Sequence, residues 1–158
     1  MIGALSMENT LTVSLLDTNI LVYTNNEDSP FHIPCKALVE KAISSQIRAA
    51  IAIQNLIELY AVITDKRRVE HPLSPLKAKE LIDFYKDQEA IQRITPTYQT
   101  FNTVTELIAR HKPKAQSIFD YLLAATMIDN GIYEIYTVNS NHFKPFSPTI
   151  KAINPLKD

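Results

Sequence analysis

The chain of 158 residues is poor in the residue types that several common structures and sites require. It has only two glycines, which leaves almost no basis for a glycine-rich phosphate-binding loop. Its single cysteine, Cys35, cannot form an intramolecular disulfide and fits a reducing cytoplasm. No apolar run approaches the roughly 18 residues of a membrane span, and the first residues lack the basic start of a signal peptide.

Neither sign of charge dominates the composition. Sixteen Lys and Arg residues face seventeen Asp and Glu residues, for a net charge of −1. This balance argues against a protein that coats nucleic acid through bulk charge, but it is compatible with a local basic strip. With 46% hydrophobic residues, the chain is expected to form one domain over residues 1–158, in which residues 1–11 are a flexible extension.

Short apolar strands alternate with amphipathic helices along the chain. This alternation predicts an α/β fold with a short, mostly parallel central sheet that helices cover on both faces. Residues 20–23 either start a helix or extend the first strand. The predicted strands cover 12–16, 49–53, 91–94, 135–138 and 150–153, and helices are predicted at 34–46, 54–65, 117–129 and around the periodic apolar residues of 78–85 and 101–108. The ligand site of such a sheet lies beyond the carboxyl ends of its strands.

Three acidic residues stand where an apolar segment has little use for a charge. Asp17 ends a predicted buried strand, Glu58 lies within an apolar helix, and Asp120 opens another apolar helix. Burying such a charge is costly unless it is paired or bound to a metal. Carboxylate oxygens suit Mg²⁺ or Mn²⁺, and a divalent cation held by carboxylates is a common device for phosphodiester hydrolysis. The three acids therefore predict one shared cation.

Each acid also has a purely structural interpretation. Asp17 is a natural N-cap for a following helix. Ser117 and Asp120 have the spacing of a capping box, in which Asp120 would satisfy backbone donors. Glu58 follows Asn55 by three residues and could belong to a cap, although its apolar neighbours leave it little room to face water. The sequence leaves these alternatives open.

Two further polar segments are candidates for the same site. Thr137 and Asn139 follow a predicted strand and offer oxygen atoms to a cation or to water beside it, with a plain Asx turn as the alternative. His142, close by, is interpreted as a surface or packing residue. A basic segment after the Glu58 helix could steer a phosphate backbone, or could simply be a solvated helix end; it consists of Lys66, Arg67 and Arg68.

These residues, in this order, resemble the PIN domain family of metal-dependent ribonucleases, and within it toxins of the VapC type. The resemblance runs from about Leu15 to the C-terminus. Each motif that carries it is short, but their combination and spacing are specific. The motifs are LDTNIL at 16–21, IQNLIEL at 53–59, FDYLLAAT at 119–126, and TVN at 137–139 followed by HF at 142–143.

The resemblance implies a PIN-like three-layer α/β/α domain with Mg²⁺- or Mn²⁺-dependent endoribonuclease activity. Asp17, Glu58 and Asp120 would be the metal ligands, directly or through water, and Asn139 would complete the catalytic set. The same resemblance implies supporting hydrogen bonds from Thr18, Asn19 and Thr137. RNA binding by Lys66, Arg67 and Arg68 is predicted from their charge alone.

The resemblance also implies partners and products. The partners would be an RNA substrate, a cognate antitoxin that inserts into the acidic groove, and a second copy of the chain in a homodimer. The products would carry a 5′-phosphate and a 3′-hydroxyl. A cytoplasmic protein without a membrane segment is expected.

One position departs from the pattern of the resemblance. Many family members carry Asp where this chain has Asn139. Asn keeps an oxygen ligand but lacks one negative charge, which would weaken metal affinity. Asn also occurs at this position in the family, so the substitution is not interpreted as a loss of activity. The rival hypothesis is a PIN-like module that binds RNA or serves as a scaffold with weak catalysis, and metal binding would separate the two.

Overall fold

A sheet of five strands forms the centre of the computed structural model, which describes residues 11–157. Every strand pairing in this part of the chain is parallel, so the prediction of a mostly parallel sheet is confirmed. In chain order, the strands are β1 (Val13–Leu16), β2 (Arg48–Ala52), β3 (Ile91–Ile94), β4 (Glu134–Tyr136) and β5 (Lys151–Ile153).

Helices connect the strands at the positions that the apolar periodicity predicts. Residues 20–23, left open between helix and strand, are helical. The α-helices are α1 (Thr18–Thr24), α2 (His32–Ile43), α3 (Ile53–Ile63), α4 (Pro75–Lys86), α5 (Tyr98–His111) and α6 (Ile118–Asp129), with short 3-10 helices at Ala115–Ser117 and Ser140–Phe146.

Local sequence signals explain where some of these helices begin and end. The Ser74 hydroxyl caps the start of α4 by accepting a hydrogen bond from the Lys77 amide, and Pro75 occupies the first helical turn. Gly131 follows α6 with a φ of 69°, and its amide donates to the Ile128 carbonyl at 3.0 Å. This left-handed backbone is the conformation in which glycine has no steric penalty.

The alternation of side chains along the strands builds one apolar core on each face of the sheet. Leu16 and Ile51 pack in a core with residues of α1, α2, α3 and α4. Leu15 and Ala50, their neighbours in the strands, pack with residues of α6 and of the second 3-10 helix. The three-layer α/β/α arrangement predicted from the resemblance is thus confirmed.

The order of the strands places a crevice beside β1. Across the sheet the order is β3-β2-β1-β4-β5, so the chain first proceeds from β1 towards β3 and later returns to the other side of β1. In parallel α/β sheets, ligands bind at the carboxyl ends of strands where this reversal occurs. Leu16 pairs with Tyr136 at this point, and Asp17 and Thr137 directly follow them.

Two expectations concern the ends of the chain and the membrane. The extension predicted for residues 1–11 falls almost wholly outside the described residues. Within 11–157, no helix has the length and apolar character needed to cross a membrane.

Candidate metal site

Asp17 lies at the carboxyl end of β1 and uses its two carboxylate oxygens differently. Oδ1 accepts a hydrogen bond from the Thr18 amide at 2.8 Å, which caps α1 as the structural interpretation predicted. Oδ2 accepts a hydrogen bond from the Thr137 hydroxyl at 2.8 Å. Capping therefore accounts for only one of the two oxygens, because the other joins β1 to the segment after β4.

The residues after β4 are held against Asp17 by a small polar network. The Asn19 side-chain amide donates to the Thr137 hydroxyl at 3.2 Å and accepts from the Val138 amide at 3.2 Å. The Asn139 amide donates to the Thr137 hydroxyl at 3.0 Å. Asn139 itself is exposed beside this network. The structure thus brings Asp17, Asn19, Thr137 and Asn139 to one rim of the sheet.

Glu58 reaches the same rim from the second turn of α3. The Thr18 hydroxyl donates to its Oε2 at 2.9 Å and accepts a hydrogen bond from the Asn55 side chain at 3.1 Å. Asn55 also accepts a hydrogen bond from the Ala52 amide at 3.0 Å, which caps the start of α3. The interpretation of Glu58 as part of that cap is wrong, since its carboxylate bonds to side chains instead. Thr18 connects Asp17 to Glu58.

Gln54 connects Glu58 to the start of α6. Its side-chain nitrogen donates to Glu58 Oε1 at 3.1 Å and to the Phe119 carbonyl at 3.0 Å. The sequence reasoning missed this residue. Its position four residues before Glu58, on the same helix face, was the available signal.

Asp120 occupies the first turn of α6, and its neighbour is a histidine. His142 Nδ1 lies 3.6 Å from Asp120 Oδ2. The capping-box interpretation of Asp120 is wrong, because Ser117 makes no capping hydrogen bond and its hydroxyl donates instead to the Lys114 carbonyl. His142, expected to be a surface or packing residue, is exposed, but it lies beside a predicted metal ligand.

Buried aromatic residues fix the segment that carries His142. Phe143 and Phe146 are only 2% and 5% exposed. The Phe146 ring meets Tyr121 edge to face, with 4.7 Å between the ring centroids. Tyr121 directly follows Asp120 in α6, so this packing holds His142 and Asp120 on adjoining elements.

Burial and mutual repulsion raise the pKa values of two of the acids. Burial is the main cause that raises the pKa of Asp17 to about 6, and the charges of Glu58 and Asp120 raise it further, against the hydrogen bonds from Thr137 and Thr18. Burial and Glu58 also raise the pKa of Asp120, while His142 lowers it. These shifts show that the three carboxylates lie close enough to interact electrostatically.

The set of donors fits a hard divalent cation. Within residues 11–157, no Lys, Arg or His nitrogen lies within 4.0 Å of the Asp17 or Glu58 carboxylates. The ligand atoms of the three acids are not all within 4.8 Å of one another. This spacing favours a cation held partly through water, as Mg²⁺ usually is in proteins.

A different group satisfies the 4.8 Å spacing within the described residues: Asp28, Glu70 and His71. All three are exposed, and His71 Nε2 lies 3.6 Å from Asp28 Oδ2. An ordinary surface ion pair explains this arrangement, and the sheet reversal and the network of polar residues lie elsewhere.

The basic segment 66–68 follows α3 and is exposed to solvent. The Arg67 guanidinium bonds to both oxygens of Asp65, at 3.0 Å and 2.9 Å, and this contact lowers the pKa of Asp65 to about 2. RNA binding by Lys66, Arg67 and Arg68 stays a prediction. Of the three side chains, that of Arg67 already bonds to Asp65.

The sequence matches a family model, that of the PIN domain, over residues 14–145. Ribonuclease VapC24 of Mycobacterium tuberculosis is 30% identical over 135 residues, which cover 83% of this chain and 89% of that protein. The VapC ribonuclease Mb2897 of Mycobacterium bovis is 24% identical over 116 residues, or 73% of this chain and 79% of that protein.

Solved structures share the fold at lower sequence identity. VapC20 of Mycobacterium tuberculosis, described as a toxin that cleaves the sarcin-ricin loop, superposes with a TM-score of 0.63 at 18% identity and covers 83% of this chain and 92% of its own. VapBC2 of Rickettsia felis, bound to a DNA fragment from its promoter, gives a TM-score of 0.59 at 21% identity, with coverage of 90% and 98%.

Proposed function

The chain belongs to the PIN domain family, and from this premise we propose that it is a Mg²⁺- or Mn²⁺-dependent endoribonuclease, the toxin of a type II toxin–antitoxin pair. The observation that carries the proposal is the group of three acids at the sheet reversal. Asp17, Glu58 and Asp120 interact electrostatically there, and no lysine or arginine of residues 11–157 pairs with any of them. A divalent cation would balance their charge.

The residues of the chain would hold and orient this cation. A bound Mg²⁺ or Mn²⁺ supplies a Lewis acid that neutralises phosphate charge and activates water for in-line attack on phosphorus. Asp17, Glu58 and Asp120 are the proposed ligands. Hydrogen bonds from the Thr18 amide and the Thr137 hydroxyl fix the plane of the Asp17 carboxylate, and the Thr18 hydroxyl fixes one oxygen of Glu58.

No nucleophile from the protein is needed for this reaction. Hydrolysis would break the bond between phosphorus and the 3′ oxygen, which leaves a 5′-phosphate and a 3′-hydroxyl. The exposed side chain of Asn139 would face the substrate or water beside the cation, and its neutral amide adds no negative charge to the three acids.

The proposed partners follow from the family and from the relatives. Ribonuclease relatives support RNA as the substrate, and structural neighbours that contain both toxin and antitoxin support a cognate antitoxin. A homodimer is proposed on the same family grounds. The single buried Cys35 supports a location in the reducing cytoplasm.

Cleavage of a mixed pool of structured RNAs by the purified protein tests the proposal. The reaction is run with Mg²⁺ or Mn²⁺, and the controls are EDTA and the Asp120→Asn variant. Asp129→Asn is a matched control, because Asp129 lies at the opposite end of α6 and is exposed. We expect cleavage by the wild type and by Asp129→Asn, and none with EDTA or with Asp120→Asn.

Absence of cleavage would have two explanations, which Mn²⁺ binding separates. A folded, antitoxin-free protein that binds Mn²⁺ but cleaves no RNA in the pool would be a ribonuclease with a very narrow substrate range. A folded protein that neither binds Mn²⁺ nor cleaves RNA would be an RNA-binding or scaffold module, and this result would overturn the assignment of the three acids as a metal site.

A further inference from the structure

Gln54 is the one side chain that links the helix of Glu58 to the helix of Asp120 among the hydrogen bonds of the described residues. Its nitrogen donates to Glu58 Oε1 at 3.1 Å and to the carbonyl of Phe119 at 3.0 Å. Phe119 directly precedes Asp120, 65 positions further along the chain than Gln54. The contact therefore joins two predicted metal ligands that no local sequence feature connects.

The orientation of the Gln54 amide follows from its partners. Glu58 Oε1 and the Phe119 carbonyl can only accept hydrogen bonds, so the side-chain NH₂ must face them both. Gln54 Oε1 is buried and has no hydrogen-bond donor among the described residues. A buried acceptor without a partner costs free energy. An apolar side chain of the same length would avoid that cost but would lose the two donated hydrogen bonds, so the net stability gained from a glutamine here is small.

We propose that Gln54 is a positioning residue that sets the Glu58 carboxylate relative to Asp120 for binding of the shared divalent cation. This inference rests on the proposed metal site. The donated hydrogen bond occupies Oε1 of Glu58 while Thr18 occupies Oε2, so both oxygens have a fixed direction. Outer hydrogen bonds of this kind typically change metal affinity by about 10- to 100-fold.

Gln54→Met tests the proposal, because methionine keeps the length of the side chain but has neither the amide nitrogen nor the amide oxygen. We expect the melting temperature of the metal-free protein to change little, because removal of the unpaired oxygen offsets the loss of the hydrogen bonds to Glu58 and Phe119. We expect the Kd for Mn²⁺, measured by calorimetry with MnCl₂ alone, to rise about 10- to 100-fold. At subsaturating Mn²⁺ kcat should fall, while the KM for RNA should not change.

Gln46→Met is the matched control. Gln46 is an exposed glutamine just before β2, at the amino end of the sheet and away from the site. This variant should bind Mn²⁺ like the wild type. A double-mutant cycle adds a stricter criterion: in a Glu58→Ala background, Gln54→Met should change the Mn²⁺ affinity by less than twofold, because the carboxylate through which Gln54 acts is absent.

The outcomes separate this inference from the function on which it rests. If the wild type binds Mn²⁺ and Gln54→Met binds it equally well, Gln54 is not a positioning residue, but the metal site stands. A large drop in melting temperature with unchanged Mn²⁺ affinity would assign Gln54 a structural role instead. If the wild type itself does not bind Mn²⁺, the proposed function fails first.

Discussion

The Thr137 hydroxyl donates a hydrogen bond of 2.8 Å to Oδ2 of Asp17, across 120 positions of sequence. This contact connects the carboxyl ends of β1 and β4, the two strands at which the sheet order reverses. Thr137 is fully buried, and its oxygen also accepts hydrogen bonds from the Asn19 side chain and the Asn139 amide. One hydroxyl thus orients a predicted metal ligand and the loop that carries Asn139.

Thr137→Val removes this hydroxyl and keeps the shape of the side chain. We expect the free energy of unfolding to fall by about 1–3 kcal/mol, because three hydrogen-bonding groups each lose one partner. We expect Mn²⁺ affinity to fall about 10- to 100-fold. Urea unfolding and calorimetry measure the two effects. Thr126→Val is the control, since Thr126 is buried in α6 and its hydroxyl bonds only to the Leu122 carbonyl. Unchanged Mn²⁺ affinity in Thr137→Val would argue against the orienting role.

Asp17→Asn should abolish RNA cleavage and stabilise the metal-free fold. The folded-state pKa of Asp17, about 6, lies above its ordinary value of 3.8, so the folded state binds the proton more tightly than the unfolded state. The contribution of Asp17 to stability therefore falls as the pH rises from about 4 to about 6, and stays low above that. Asn, which cannot ionise, avoids this loss.

Urea unfolding in EDTA at a series of pH values between 4 and 7.5 checks whether the pKa of Asp17 is raised in the folded state. The variant should exceed the wild type by about 1–3 kcal/mol at pH 7.5, and this advantage should shrink towards pH 4. An advantage that grows as the pH falls would contradict a raised pKa. Cleavage by Asp17→Asn at the wild-type rate would show that Asp17 is not a ligand.

Asn139→Asp adds a carboxylate at an exposed position three residues after the end of β4. We expect Mn²⁺ binding to tighten and cleavage to persist or increase, because the added charge lies beside three acids that already attract a cation. Asn141→Asp makes the same change of charge two residues further on, at another exposed position, and should have a smaller effect. A large loss of both metal binding and cleavage in Asn139→Asp would assign a specific role to the neutral amide.

His142→Ala should shift the pH profile of cleavage. His142 lowers the pKa of Asp120, so its removal lets that pKa rise. The acidic limb of the profile, measured at constant Mn²⁺, should move to higher pH, while the fold persists because Phe143 and Phe146 still anchor the segment. His71→Ala, at an exposed loop position, is the control. Superimposable profiles for His142→Ala and the wild type would refute the coupling.

Removing charge from the segment after α3 should weaken RNA binding. We expect the double variant Lys66→Gln with Arg68→Gln to bind RNA less tightly at low salt and to show a shallower dependence of affinity on salt. The catalytic acids are untouched, so the Kd for Mn²⁺ should not change. The matched double variant Lys36→Gln with Lys41→Gln changes two exposed lysines of α2. Equal losses in both variants would point to a general effect of charge.

Much of the fold could be predicted because its signals are local. Short apolar runs and helical periodicity correctly predicted five strands and the helices between them. Which strands are neighbours is set by packing across the sheet. The sequence therefore predicted that strands alternate with helices, but not that β1 lies between β2 and β4.

The residues of the candidate site were also only partly predictable from the sequence. Charge within apolar sequence singled out Asp17, Glu58 and Asp120, because burial of an unpaired charge is costly wherever it occurs. Gln54 was missed, and His142 was interpreted only as a surface or packing residue, since an exposed or polar residue carries no such cost in its own segment. Their importance depends on neighbours that are distant in sequence, at Phe119 and Asp120.

The sequence by itself determined the type of fold, the three acids and the hard oxygen ligands that suit a divalent cation, because propensity, periodicity and charge act over a few residues. Only the tertiary structure decided that Thr137 orients Asp17, that Thr18 and Gln54 hold Glu58, and that His142 lies beside Asp120. Apart from the bond between Gln54 and Glu58, which lie four positions apart in α3, those contacts span 22 to 120 positions, and they form because the parallel strands bring their carboxyl ends to one rim.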